Sequence, residues 1–224
     1  MTTIGSSFPG SPRLLKGGIV LMDARSGAVQ RMIVLQYNPD TLTRTLTPQG
    51  MGDNAERSEA LRLKGPPVET IRLEVEIDAT DQIGAPEPDE NATQYGILPQ
   101  LAVLELMVYP HSSQLVENNR LAGQGKLEII PVEAPLPLFV WSKRRVIPVR
   151  ITEFSITEEA FDPNLNPIRA RVTLSLRVLS VSDLGFEHRG GNLYLRYQQE
   201  RERLAQHASF GGLGALGISE MEIR

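Results

Sequence analysis

The sequence predicts a mainly β domain with one packed helix and a C-terminal surface helix. Three observations carry this. Apolar and polar residues alternate in residues 69–80 and again along the return run of a hairpin, residues 168–178, and period two is the signature of a half-buried strand. The 224 residues include 16 prolines and 19 glycines, which suits many turns, and aromatics at 5% leave the core to aliphatic side chains. Before the last forty residues only one stretch, residues 93–109, spaces its apolar residues as a helix does. The length is ample for a real core, and 41% hydrophobic with 22% charged residues is the composition of a folded chain.

The elements follow in order. The run Gly-Ile-Val-Leu-Met over residues 18–22 and a second run over residues 29–37 flank Asp23-Ala24-Arg25-Ser26-Gly27, so two strands form a hairpin with Gly27 at a positive-φ turn position. Asn38-Pro39-Asp40 stops the second strand, because proline lacks a ladder amide. Residues 41–67 read as a long polar connection, with a short helix near residues 55–61. In residues 69–80, Ile71, Leu73, Val75 and Ile77 alternate with Arg72, Glu74, Glu76 and Asp78, and the acidic, proline-bearing residues 81–91 form a loop. Ile97, Leu101, Leu104 and Val108 then mark one amphipathic helix over residues 93–109, capped by Thr93 and closed by Pro110.

Residues 111–125 are polar. A short strand is expected at residues 127–130 and another at residues 138–141. A long antiparallel hairpin follows: residues 149–157, a turn through Asp162-Pro163 and Asn166-Pro167, and a return whose Ile168, Ala170, Val172, Leu174, Leu176 and Val178 share one face, with Arg169, Arg171, Thr173, Ser175 and Arg177 on the other. Residues 193–208 read as a charged surface helix with a narrow apolar stripe, and residues 209–224 as a Gly-rich tail ordered by a partner.

Charge and motifs then narrow the function. Twenty-three basic against twenty-seven acidic side chains give a net charge of −4, which offers a phosphate backbone no global attraction, so nucleic acid is not expected. No apolar run reaches the length of a spanning helix and the first twelve residues lack signal-peptide regions, so a cytoplasmic protein with no direct membrane insertion is expected. The chain has no cysteine, and His111, His188 and His207 lack ligand spacing, so neither a metal nor another cofactor is expected. Gly17-Gly18 and Gly190-Gly191 are isolated pairs that extend to no phosphate loop. Glu87, Asp89 and Glu90, and again Glu158, Glu159 and Asp162, could be imagined as paired catalytic carboxylates, but solvation and turn chemistry account for them, and no nucleophile elbow is present. The expectation is a protein that is not an enzyme, with a peptidoglycan-active enzyme and a monomeric ligand-binding barrel as rivals.

Lys143, Arg144 and Arg145 form the densest basic cluster, followed by Arg150 and by Arg169, Arg171 and Arg177 on the facing run. Such a row either coats a solvated hairpin or meets carboxylates on another subunit, which arginine suits. Arg144, Arg145, Arg150, Arg169, Arg171 and Arg177 are therefore the interface candidates.

Three stretches resemble the tube and hub-adaptor proteins of contractile injection systems, the phage-tail-like machines of bacteria. They are Val34-Leu35-Gln36-Tyr37-Asn38-Pro39-Asp40-Thr41-Leu42, the segment from Tyr95-Gly96-Ile97-Leu98-Pro99-Gln100-Leu101-Ala102 through Tyr109-Pro110, and the hairpin with its Phe161-Asp162-Pro163 turn and Asn166-Pro167-Ile168-Arg169-Ala170-Arg171-Val172 return. The resemblance spans residues 15–181. It implies a tail-tube-like β-barrel or sandwich, six copies of which form a ring around a channel, acting as a tube-initiating or hub adaptor ring between spike, inner tube and baseplate. A terminator or cap of the tube is the alternative. It implies a homo-hexamer, with inner tube protein, spike protein and baseplate subunits as partners, assembled into a phage-tail-like particle. Members of this kind often carry a C-terminal LysM module, which this sequence lacks after residue 181. The expected organisation is an arm at residues 1–14, the tube-like domain at 15–181, and a C-terminal helix and tail at 182–224.

Overall fold

A computed structural model describes residues 14–50, 61–125, 134–209 and 211–217. Seven strands, β1 (Gly18–Met22), β2 (Val29–Val34), β3 (Leu42–Thr47), β4 (Val68–Asp78), β5 (Leu136–Ser142), β6 (Arg145–Phe161) and β7 (Pro167–Val178), form one antiparallel sheet in the order β2-β1-β5-β6-β7-β4-β3. The sheet is open, with β2 and β3 at its borders.

The strand faces follow from alternation. On β4, Ile71, Leu73 and Val75 are buried while Arg72, Glu74 and Glu76 are exposed. They pair with Leu176, Leu174 and Val172 of β7, so the two apolar rows coincide. Each such aliphatic side chain contributes about 2 kcal/mol on burial. These rows join Ile19, Phe139 and Ile147 of β1, β5 and β6 in a single core. The Asn-Pro turn after β2 has a clear physical role. Gly17 donates its amide to Asn38 Oδ1 at 2.9 Å and Asn38 Nδ2 donates to the Leu15 carbonyl at 2.8 Å, so a side-chain amide continues the pairing that Pro39 cannot.

The helices differ most from expectation. The single helix expected over residues 93–109 is two: α2 (Glu90–Tyr95) and α3 (Leu98–Glu105), after the short α1 (Thr80–Ile83). The break lies at Gly96, whose φ of +57° no helix admits, and Pro99 then falls in the first turn of α3, where its missing amide costs nothing. Asp89 rather than Thr93 caps the start, accepting from the Ala92 amide at 2.9 Å. Ile97, Leu101 and Leu104 reach the core as the spacing requires. The polar residues 111–125 hold a further helix, α4 (Ser112–Gly123), which buries nothing fully. β3 occupies part of the supposed polar connection, and β6 begins earlier and ends later than residues 149–157. The expected helix at 55–61 lies almost wholly, and the expected strand at 127–130 wholly, outside the described residues.

After β7, Ser180 caps α5 (Val181–Leu184) in a reciprocal box with Asp183. His188 caps α6 (Arg189–Ala205) through Nδ1, which accepts from the Gly190 amide at 3.0 Å. Tyr194 and Tyr197 of α6 enter the main core, and Leu193 packs on a smaller cluster of Met22, Leu136 and Leu138. The described part of the tail holds one 3-10 turn, Leu213–Leu216.

Gly96 also abuts the β7 start, since Ile97 donates its amide to the Pro167 carbonyl at 2.9 Å. A methyl group at Gly96 would stand 2.2 Å from that carbonyl oxygen in a backbone conformation alanine resists. Gly96→Ala is expected to destabilise the chain by about 2 kcal/mol or more, read as a lower urea midpoint at unchanged slope.

Candidate functional site

The long hairpin sets the site. Residues Arg145 to Pro148 of β6 pair with β5, and from Val149 onward β6 pairs with β7 instead. The change comes at a proline, which has no amide to share. From Val149 to Phe161 the border of β6 away from β7 therefore has no strand partner among the described residues. β3 is the opposite border of the same four-stranded half, β6-β7-β4-β3. Beside the bare border of β6 lies a groove of about 360 Å³ walled by Val108, Tyr109, Ile151, Phe154 and Ile156, with Glu105, Thr152 and Glu153 at its polar side. Unpaired ladder groups next to apolar side-chain pockets are what an added strand requires.

One face of this half is polar, and four of the six candidate arginines lie on it. Arg171 pairs with Glu74 at 3.2 Å and Glu159 at 3.6 Å, Arg169 with Glu159 at 3.7 Å, and Arg177 with Asp183 at 2.8 Å. Arg150 stands opposite Arg177 in the ladder. Arg144 and Arg145 belong elsewhere, at the β5–β6 turn, where Arg144 meets Glu200 of α6 at 3.4 Å. The basic row is thus partly neutralised within the chain by carboxylates on neighbouring strands and on the short helix after β7, and these pairs hold the face's charge pattern more than they hold the fold.

A second cluster escaped sequence reading. Glu69, only 2% exposed, lies between Arg44 of β3, at 2.7 Å, and Arg201 of α6, at 3.3 Å. The Arg201 guanidinium also sits 4.5 Å from the centre of the Tyr197 ring. Burial opposes the charge of Arg44, but its hydrogen bond to Glu69 and that carboxylate's charge outweigh it and raise its pKa above the ordinary value. Burial also raises the pKa of Tyr194 and Tyr197. The signal was present: Glu69 is in phase with Ile71, Leu73 and Val75, and Arg44 with Leu42 and Leu46, so each is a charge on an apolar face.

No protein-family model and no curated protein matches the chain. Its chemistry is therefore read from its own groups. Among the described residues no cluster of three or more histidines and carboxylates could hold a metal. Two of the six acidic groups weighed as catalysts hold backbone, and Glu159 pairs with Arg169 and Arg171. Asp89 caps α2, and Asp162 Oδ1 accepts the Asn164 and Asn166 amides at 2.8 Å each while Oδ2 accepts Asn166 Nδ2 at 2.9 Å. The side-chain bond from Asn166, with the backbone amides, keeps the Asp162 carboxyl below the usual carboxylate range.

Two outcomes follow. Glu69→Gln leaves two partly buried guanidinium groups without their carboxylate, and is expected to cost about 3 kcal/mol by chemical denaturation. Asp162→Ala is expected to lower the thermal midpoint at neutral pH. Because the folded pKa is depressed, the stabilisation is present above the unfolded value of about 4 and fades as pH falls through the folded one, so the two midpoints converge in acid.

Proposed function

We propose that the chain is a structural ring subunit of a contractile injection system, a tube-initiating or hub adaptor that links spike, inner tube and baseplate, and that its role is mechanical rather than catalytic. The observation that carries this reading is the four-stranded half β6-β7-β4-β3, which has one polar face, one apolar face and two bare borders. Such a unit gains hydrogen bonds along part of the Val149–Phe161 border when β3 of one copy adds to that border of the next.

Six copies, the number the family resemblance implies, would close about 24 strands, beyond the sixteen or so at which a barrel encloses an aqueous channel. The polar face then lines the channel, and the apolar face keeps its cover of α3 and the outer strands. Closure by one repeated contact is the ordinary route to a cyclic homo-oligomer. The groove beside β6 would receive Leu46, which stands exposed on the apolar phase of β3. Such a particle assembles in the cytoplasm.

The test is the mass and shape of the purified chain by light scattering and electron microscopy. The expected species is a ring of six with a central hole. The double variant Thr43→Lys, Thr45→Lys places charge along the β3 border and is expected to give monomers whose stability changes by less than about 0.5 kcal/mol. A wild-type chain that forms no ring at any attainable concentration, alone or with the spike and tube proteins, defeats the reading.

A further inference from the structure

The hairpin tip carries a feature that nothing among the described residues accounts for. Leu165 has a φ of +66° and is 80% exposed. A left-handed backbone suits glycine or asparagine and strains a leucine, and the flanking residues, Asn164 and Asn166, are of the type that tolerates it. A leucine held there gains no burial from its own chain in return. Five residues earlier Ala160 is also left-handed, at φ +50°, and between them Phe161 is 50% exposed. The tip is firmly held: Asp162 grips the turn as described, and Asn166 Nδ2 reaches the Gln94 carbonyl at 3.2 Å. Strain, exposure and rigidity together present two apolar side chains outward.

At the other end of the same hairpin lies the larger cavity, about 1140 Å³, with apolar walls that include Leu106, Tyr109, Leu115, Leu136, Ile151 and Leu179. Val149 and Val178 mark this end, Phe161 and Pro167 the other. Twelve residue steps at about 3.3 Å separate them by about 40 Å, so a tip cannot fill the cavity of its own chain. The charges match in part across that distance. At the tip Glu159 is already paired with Arg169 and Arg171, while Glu158 and Asp162 have no cationic partner among the described residues, and the described cavity walls contain Arg31 and Arg150 but no carboxylate.

We infer that the Phe161 and Leu165 tip of one copy docks in this cavity of a second copy, head to tail along the strands. The two surfaces differ, so the contact is heterologous and leaves a tip and a cavity open at the ends of every chain of copies. It uses the ends of the hairpin and is independent of the lateral contact between strand borders.

The experiment uses the full-length chain bearing Thr43→Lys and Thr45→Lys, so that only end-to-end contact is read, by sedimentation over a range of concentration and salt. This background is expected to form open chains of copies that shorten as salt rises. Adding Leu165→Asn relieves the left-handed strain, and is expected to keep or raise the unfolding midpoint while weakening association at least tenfold. Leu115→Glu, on the exposed side of α4, is expected to abolish association from the cavity side. Mixed in equal amounts, the two variants retain one good tip and one good cavity between them, and are expected to form a one-to-one dimer and nothing longer. A background that stays monomeric, a Leu165→Asn variant that associates undiminished, or a mixture that yields no dimer overturns the inference. Rings that persist in a Leu165→Asn chain with native β3, or end-to-end chains without any ring, separate the fate of this contact from that of the lateral one.

Discussion

One constraint organises the molecule: β6 is a strand too long for either neighbour. Its first four residues are bonded to β5 and the remaining thirteen to β7, with the exchange at Pro148 and Val149. Because each stretch uses only one of its borders, a row of backbone groups is left bare beside β7 without any strand being misplaced. The two halves of the sheet share this strand and also share a core, since Ile19, Phe139 and Ile147 pack with Leu174, Leu176 and Ile71. Packing on one side and vacancy at the border are thus two results of the same arrangement.

The charged groups divide by burial. On the polar face, arginines and carboxylates alternate between strands at 3.2 to 3.7 Å and remain in contact with water, which suits a wet surface. Glu69 is different, because it is enclosed and bridges β3 to α6. That bridge fixes the C-terminal helix against the border strand β3, so the helix steadies a strand that has a neighbour on one side only. Asp162 and Asn38 serve comparable ends at turns, where a side-chain oxygen or amide replaces a backbone partner that proline removed or the chain reversal displaced.

What was legible in the sequence was whatever local period decides. β1, β4 and β7 were found within a residue or two at most boundaries, since a half-buried strand writes itself as alternation. β3 was not, because Leu-Thr-Arg-Thr-Leu-Thr places an arginine where the alternation asks for an apolar residue, and the carboxylate that makes this tolerable is 25 residues away. α4 escaped because it buries nothing fully and so has no apolar stripe to show. The helix of residues 93–109 was read through Gly96, whose close contact with Pro167 is set by the sheet. Arg150, Arg169, Arg171 and Arg177 stand on the strands of the hairpin as read, whereas the place of Arg144 and Arg145 at the β5–β6 turn needed the pairing register. Glu69 carried a visible anomaly, a charge in apolar phase, and only its partners were hidden.

The register of the hairpin has a mechanical consequence. The ladder between β6 and β7 runs the full length of β7 and thirteen of the seventeen residues of β6, with its bonds roughly perpendicular to the strands. A pull along the strands shears all of these bonds together, whereas a pull across the sheet unzips them one after another. The molecule is therefore stiff along its strands and comparatively weak to peeling at its borders.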